Sequence, residues 1–208
     1  MNNRDFVSKK KRNRIAGILV TLILLGVVVV FLFGYLLRTE DPRHQKGAIA
    51  ELVENSGKIQ IVRNYKDIVC SPGMIIMSGD LIRTETNGRV KIRYLDDGTQ
   101  VTLAPDSNLI FNAMDNGKQI KLVKGVLDLN VPDQGMDTPM GILTHNSAVT
   151  LTKECELMFS FLGLNSTLSV QKGKALFRRF TDGRIIEVAA GQSHTFKPAG
   201  PDKIEFEL

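Results

Sequence analysis

The chain has 208 residues, which is room for one domain with a substantial core but not for two domains beside a membrane segment. It carries 27 Lys and Arg residues against 22 Asp and Glu residues, for a formal net charge of +5. Six basic side chains and one acidic side chain fall in residues 1–14, so residues 15–208 are neutral as a whole. The charge therefore does not support nucleic-acid binding, and no phosphate-binding loop of the G-x-x-x-x-G-K-[ST] type is present.

An uncharged apolar segment, residues 15–37, follows the basic tail. As a helix it would span roughly 34 Å, which is enough to cross a bilayer. A buried helix of a soluble protein seldom reaches this length without an ionisable residue. A cleaved signal peptide should end in small residues of the A-x-A type, and the sequence GYLLR at 34–38 does not supply them. Because Lys and Arg stay on the cytoplasmic side, we predict a cytoplasmic tail at 1–14, one transmembrane helix at 15–37 and an outer domain.

Residues 38–46 are polar and contain Pro42, which indicates a tether before an all-β domain at 47–208. Apolar residues alternate with polar ones in at least six runs, which is typical of half-buried strands. These apolar sets are Val90, Ile92 and Tyr94; Val101 and Leu103; Leu127, Leu129 and Val131; Val149 and Leu151; Phe159 and Phe161; and Ile204, Phe206 and Leu208.

Turn pairs separate these runs at spacings near ten residues. They are Asn87-Gly88, Asp97-Gly98, Asn116-Gly117, Lys124-Gly125, Lys172-Gly173 and Asp182-Gly183. Outside residues 15–37 no helical stripe of apolar residues occurs, which argues against an α/β nucleotide-binding enzyme. A sandwich, a roll and an irregular β-helix all fit this pattern.

Two cysteines, Cys70 and Cys155, both fall in the predicted outer domain, where a disulfide is permitted. The sequence does not decide whether they form a disulfide or remain two buried free thiols.

The order of turns and strands resembles that of the FecR domain. The family pattern G-D-x-[IL]-x-T is matched by Gly79, Asp80 and Thr84, and the strand that ends in D-G-[ST] is matched by the segment with Asp97 and Gly98. The segment 101–107 resembles the v-x-L-x-x-x-S continuation, and 120–127 with Gly125 resembles the I-x-L-x-x-G-x-[LV] hairpin. Thr138-Pro139 matches the T-P that precedes another strand, so the resemblance covers about residues 47–195. It assigns structural turn roles to these motif residues.

The sequence departs from the family in two places. Where the family commonly has V-x-G-T-x-F after T-P, residues 143–149 read LTHNSAV. Family members that restrain sigma factors have a cytoplasmic helical domain, often with Trp, whereas residues 1–14 are too few and too basic to fold, and the chain contains no Trp. We therefore expect no direct clamp on a sigma factor by this tail alone.

No catalytic, cofactor-binding or metal-binding residues are predicted. The three histidines, His44, His145 and His194, lie outside metal-ligand spacing of one another or of a cysteine. Asp80 and Asp97 occupy turn positions at which a carboxylate accepts hydrogen bonds from backbone N–H groups.

The resemblance implies a non-enzymatic module anchored in a bacterial inner membrane, with its β domain in the periplasm. We expect it to bind a protein partner there, for which the family suggests the signalling domain of an outer-membrane receptor, and we expect no nucleic acid and no small-molecule substrate. The alternatives are a sigma-factor-regulating sensor of the iron-uptake type and a hydrolase of envelope polymer that would depend on Asp97 or Cys155.

Overall fold

The computed structural model describes residues 47–114, 117–132, 139–151 and 153–197, all within one unit of the chain, Pro42–Leu208. The predicted tail, transmembrane helix and tether lie outside these residues, as do Thr138 and the predicted C-terminal strand. Within the described residues no helix is long and apolar enough to cross a bilayer.

The described residues form sixteen strands and no helix, as the alternating pattern predicted. The strands are β1 (Ala48–Ser56), β2 (Ile59–Arg63), β3 (Lys66–Ile68), β4 (Ile75–Met77), β5 (Leu81–Thr84), β6 (Arg89–Tyr94), β7 (Gln100–Leu103), β8 (Asn108–Met114), β9 (Gly117–Val131), β10 (Met140–Leu143), β11 (Ser147–Leu151), β12 (Cys155–Leu162), β13 (Asn165–Lys172), β14 (Lys174–Arg179), β15 (Ile185–Ala189) and β16 (Ser193–Phe196).

These strands belong to two sheets that share β9. Sheet A has the order β4-β1-β6-β7-β9-β12-β13-β16. Sheet B has the order β3-β2-β5-β8-β9-β10-β11-β14-β15. All of these pairs are antiparallel except β9 with β10, which is parallel. Antiparallel pairing of this kind gives a two-sheet sandwich rather than a β-helix, whose coils stack in parallel.

Aromatic side chains from the two sheets meet in the core between them. The rings of Tyr94 on sheet A and Phe111 on sheet B lie 5.7 Å apart, and those of Phe159 and Phe177 lie 5.8 Å apart. Phe111, Phe159 and Phe177 are each fully buried, so each ring removes a large apolar area from water. The predicted inward residues of β6, β7, β9, β11 and β12 are all buried in this core.

Strand β9 passes from one sheet to the other at Gly125. Residues 117–124 pair with β8 and β10 in sheet B, and residues 125–131 pair with β7 and β12 in sheet A. The buried positions change from even numbers, Ile120 and Leu122, to odd numbers, Leu127 and Leu129, as the strand crosses. The predicted turn at Lys124-Gly125, and the hairpin expected over 120–127, are therefore wrong: the glycine bends a continuous strand and does not reverse it.

Of the other predicted turn glycines that the structure describes, Gly88, Gly98, Gly173 and Gly183 lie in connections between strands, and Gly117 is the first residue of β9. Gly98, Gly173 and Gly183 have φ angles of +76°, +79° and +70°, in the left-handed region where a side chain is disfavoured.

Gly125→Ala should destabilise the domain by about 3 kcal/mol, because φ is +105° and an added Cβ would lie 2.0 Å from Ser107 Oγ. Chemical denaturation of the full chain, followed by far-UV circular dichroism, measures this loss. The matched control is Gly183→Ala, where φ is +70° but no heavy atom lies within 4 Å of the added Cβ. Only the backbone penalty of about 1 kcal/mol applies there. Equal losses for the two variants would show that the crossing is not closely packed.

Candidate functional site

The first motif aspartate, Asp80, forms a buried ion pair with Arg63. Asp80 is fully buried, and its carboxylate accepts hydrogen bonds from Arg63 Nε at 2.8 Å and Nη2 at 2.7 Å. The same carboxylate accepts from the Met77 backbone N–H at 2.8 Å, as expected of a turn aspartate. The hydrogen bond to Asp80 raises the pKa of the Arg63 guanidinium, against the opposing effect of partial burial.

This ion pair also closes one edge of sheet A. Strand β4 is the first strand of that sheet, and Arg63 Nη2 donates to the Ile75 carbonyl of β4 at 2.7 Å. On the same strand the Met77 N–H donates to Asp80. Backbone groups that would otherwise be open to another strand are thus occupied by side chains, which is a common protection of sheet edges.

Three further motif positions meet where β9 crosses between the sheets. Thr84 Oγ1 donates to the Ala104 carbonyl at 2.6 Å and accepts from the Ser107 N–H at 3.0 Å. Ser107 Oγ in turn accepts from the Val126 N–H at 3.0 Å, directly after Gly125. Thr84, Ser107 and Gly125 are all buried. The hydroxyl groups of Thr84 and Ser107 therefore form hydrogen bonds with the backbone in place of those they would form with water.

The Asp97 turn organises one end of the sandwich. The Asp97 carboxylate accepts from the Thr99 N–H at 2.9 Å and from Thr99 Oγ1 at 2.8 Å. It also pairs with Lys118, whose ammonium lies 3.1 Å from Asp96 Oδ2 and 5.2 Å from the centre of the Tyr94 ring. Partial burial would raise the pKa of Asp97, but the hydrogen bonds from Lys118 and Thr99 outweigh this and hold it below its ordinary value.

Tyr94, beside this turn, is the one described residue with a buried side-chain polar atom that lacks a hydrogen bond. Burial, followed by the negative charges of Asp96 and Asp97, raises the pKa of its hydroxyl. The arrangement keeps a neutral phenol next to a lysine that two carboxylates already neutralise. Such a lysine is a structural group and is not poised as a base or a nucleophile.

The T-P motif leads into the parallel strand β10. The Pro139 carbonyl accepts from the Lys118 N–H at 3.1 Å and lies against Gly117, where an added Cβ would be 2.6 Å from the carbonyl oxygen. Thr138 lies outside the described residues, so its role stays a prediction.

The segment at 143–149, where the sequence departs from the family pattern, forms its own buried hydroxyl cluster. Thr144 Oγ1 accepts from the Ser147 N–H at 3.0 Å, and Ser147 Oγ donates to Ser166 Oγ at 2.8 Å. Asn146 Nδ2 donates to the Leu164 carbonyl at 2.7 Å, which joins the β10–β11 turn to the β12–β13 turn. These hydrogen bonds hold the turn at which the sequence departs from the family pattern.

The two cysteines are free thiols, so the disulfide considered for Cys70 and Cys155 is not formed. Cys70 lies between β3 and β4, at the edge of the sandwich, whereas Cys155 begins β12 in the interior of sheet A. Four strands, β1, β6, β7 and β9, lie between β4 and β12 in sheet A. Five interstrand spacings amount to roughly 24 Å along the sheet, which is far beyond disulfide reach. Burial raises the pKa of the Cys155 thiol to about 11, which makes it a poor nucleophile.

A mixed apolar and basic surface lies on β14, β15 and their connection. Phe180 and Ile185 are 46% and 58% exposed, and Arg178 and Arg184 are exposed beside them. Leu164 is 55% exposed on the neighbouring turn, where Asn146 bonds to the backbones of both Leu164 and Phe180. We call Leu164, Arg178, Phe180, Arg184 and Ile185 the β15 surface. None of these residues belongs to a motif, and no local sequence pattern groups them.

The predicted motif residues thus do not form a single site. Gly79, Asp80, Thr84, Asp97, Gly98 and Gly125 are distributed over turns and crossings that hold the sheets together. No group of three or more His, Cys, Asp or Glu side chains in the described residues could hold a metal ion. These features define an all-β domain whose recurring motifs serve folding, and whose surface offers side chains for binding.

The family of this domain follows from comparison. The model of the FecR protein family matches residues 80–176, from the motif aspartate into β14, which confirms the resemblance that the motifs predicted. A search of curated proteins found no match to the sequence.

Solved structures with the same fold include two crystal structures, at 1.65 Å and 2.50 Å, of a proposed anti-sigma factor from Parabacteroides distasonis ATCC 8503. Each superposes with a TM-score of 0.50 at 14% sequence identity. The match covers 56% of this chain and 54% of that one, so the likeness spans about half of either protein and concerns the fold.

Asp80→Asn should destabilise the full chain by about 3 kcal/mol, because it leaves the Arg63 guanidinium without its counter-charge at a buried position. This value is at the low end for buried pairs, since the Arg63 side chain is 31% exposed. Thermal and chemical denaturation give the loss. Glu85→Gln, which removes the exposed Lys58–Glu85 pair, is the control and should cost less than about 1 kcal/mol. A small effect at both positions would contradict a structural role for Asp80.

Proposed function

We propose that this protein is a non-enzymatic signalling protein whose FecR domain binds a protein partner outside the cytoplasmic membrane. The observation that carries the proposal is the FecR family match over residues 80–176. The sequence supports the rest of the arrangement: a basic tail at 1–14, an uncharged segment long enough to span the bilayer at 15–37, and a neutral domain beyond it.

The chemistry of the domain supports binding more than catalysis. Its buried carboxylate is neutralised by Arg63, its buried lysine is neutralised by Asp96 and Asp97, and its buried thiol is protonated at neutral pH. An enzyme of envelope polymer would instead need a free acid, base or nucleophile in a cleft. Asp97 in particular is engaged by Thr99 and Lys118, which leaves it no role as a general acid.

We propose regulation of a sigma factor as the outcome of this signalling. The two solved structures with the same fold come from a proposed anti-sigma factor, which supports this candidate over other kinds of envelope signalling. Residues 1–14 would then act together with a separate cytoplasmic protein, because so short and basic a segment cannot bury enough apolar surface to fold alone.

The orientation can be tested with the native thiols. In intact spheroplasts a membrane-impermeant maleimide should label one thiol per chain, Cys70, because it is partly exposed while Cys155 is 1% exposed. Cys70→Ser should abolish the labelling, and denaturation should expose the second thiol. A cytoplasmic protein with an exposed cysteine is the control for membrane integrity. Labelling of Cys70 only after lysis would place the domain in the cytoplasm and contradict the proposal.

The signalling role predicts that deletion of the gene changes the transcription of one sigma-dependent group of genes. Transcript profiling of the deletion strain measures this, and the full chain supplied in trans should restore the original profile. Asp80→Asn, supplied in the same way, should fail because the domain loses stability. If no sigma-dependent group changes while an in-cell crosslink to an envelope protein persists, sigma regulation is wrong and only the recognition role remains.

A further inference from the structure

The four edges of the two sheets differ in how they are closed. In sheet A, β4 is capped by Arg63 and Asp80. In sheet B, β3 is three residues long and carries Lys66 and Asp67, which oppose the addition of another strand. Strand β16 presents mainly polar side chains. The remaining edge strand, β15, carries an exposed aliphatic side chain, Ile185.

The hydrogen-bond phase shows which backbone groups of β15 point outward. The Arg179 N–H donates to the Arg184 carbonyl, and the Ala190 N–H donates to the Gly173 carbonyl. Hydrogen-bonded pairs alternate along an antiparallel ladder, so the backbone N–H and C=O groups of Ile186 and Val188 point toward β14. Those of the alternate residues point away from β14, and these residues are Ile185, Glu187 and Ala189.

Only part of this outward row is occupied. The Ala189 N–H donates to Gln192 Oε1 at 3.0 Å, and the Ala189 carbonyl accepts from the Gln192 N–H at 3.0 Å. The backbone groups of Ile185 and Glu187 have no hydrogen bond to any residue in the described ranges. Within the part of the chain that the structure describes, two donors and two acceptors of this edge are therefore available to an added strand.

The charges around this edge are unbalanced. Lys174 pairs with Glu187 at 3.0 Å, and Arg179 pairs with Asp182. Arg178, which lies directly across from Ile185, and Arg184, which precedes it, have no acidic partner among the residues that the structure describes. On a domain that is otherwise neutral, this gives the β15 surface a local positive charge next to exposed Leu164, Phe180 and Ile185.

We propose that the β15 surface binds an extended segment of the partner protein, one that alternates acidic and apolar residues and adds to sheet B alongside β15. Strand addition would satisfy the backbone groups of Ile185 and Glu187, the apolar residues would cover Ile185 and Phe180, and the carboxylates would pair with Arg178 and Arg184. This inference rests on the proposed function, because it names the surface and the partner chemistry for that recognition.

The probe is a capped ten-residue peptide that alternates Glu and Val, titrated against the full chain in nanodiscs and followed by calorimetry. We expect binding, and binding that is about ten-fold weaker for the double variant Arg178→Gln with Arg184→Gln, since two exposed ion pairs are lost. The matched double variant Arg83→Gln with Lys91→Gln, which also removes two charges, should bind as the original chain does. A peptide that alternates Lys and Val should bind far more weakly than the Glu peptide.

The role of the edge backbone is tested with Ile185→Pro, which removes the outward N–H and leaves the bonds to β14 in place. It should abolish binding while circular dichroism stays unchanged; if this variant fails to fold, the arginine pair carries the test. Equal affinity for the Glu and Lys peptides, or an equal loss in both double variants, would overturn the proposal.

Two further results separate this inference from its alternatives. If removal of residues 198–208 strengthens peptide binding and a peptide of the sequence KIEFEL, residues 203–208, competes for the edge, the occupant is this chain's own terminus and the partner assignment is wrong. If the peptide does not bind while gene deletion still changes the transcription of a sigma-dependent group of genes, strand addition at the β15 surface is wrong and the proposed function is retained.

Discussion

The domain depends on one strand that belongs to both sheets. Strand β9 runs for fifteen residues and is hydrogen-bonded in the middle of sheet B along its first half and in the middle of sheet A along its second half. A strand that passes from one sheet to the other must bend. Its inward-facing positions must also change between even and odd residue numbers, so that both halves place apolar residues in the core. Gly125 supplies the bend, and the hydroxyls of Thr84 and Ser107 satisfy the backbone groups that the bend would leave unpaired.

The motifs that identify the family acquire physical roles from this arrangement. Asp80 joins β2 to β4 through Arg63, and Asp97 joins the β6–β7 turn to β9 through Lys118. Thr84, Ser107 and Gly125 meet at the crossing, although 41 residues separate the first from the last. A sequence pattern that looks like a series of ordinary turns is therefore a set of long-range contacts. These contacts define a scaffold that holds the two sheets together.

The sequence predicted the strands well because alternation along a half-buried strand is a local property. Val90, Ile92 and Tyr94, for example, had to face one side wherever β6 was placed. The crossing at Gly125 was mistaken for a turn because a change of phase and a reversal of the chain produce the same break in alternation. Arg63 and Lys118 were missed because their partners lie 17 or more residues away, and nothing in the local pattern marks an inward-pointing cation.

The grouping of the β15 surface could not be predicted for a related reason. Whether a strand is at an edge is decided by the order of all strands in the sheet, and the direction of its backbone groups is decided by the phase of one ladder. The residues of β15 alone determine neither property. The two sheets also could not be told from a roll or a β-helix, because period-two alternation is common to all three.

The shared strand also governs how the domain can fold. Hairpins such as β2–β3, β12–β13 and β14–β15 join neighbours in sequence and can form early at low entropic cost. Strand β9 must instead pair with four strands before the middle of either sheet is formed. These are β7, β8, β12 and β10, of which β10 pairs in parallel. We therefore expect that neither sheet is stable without the other. For a chain of this topology we expect one cooperative folding step, in which preformed hairpins dock onto a single long strand.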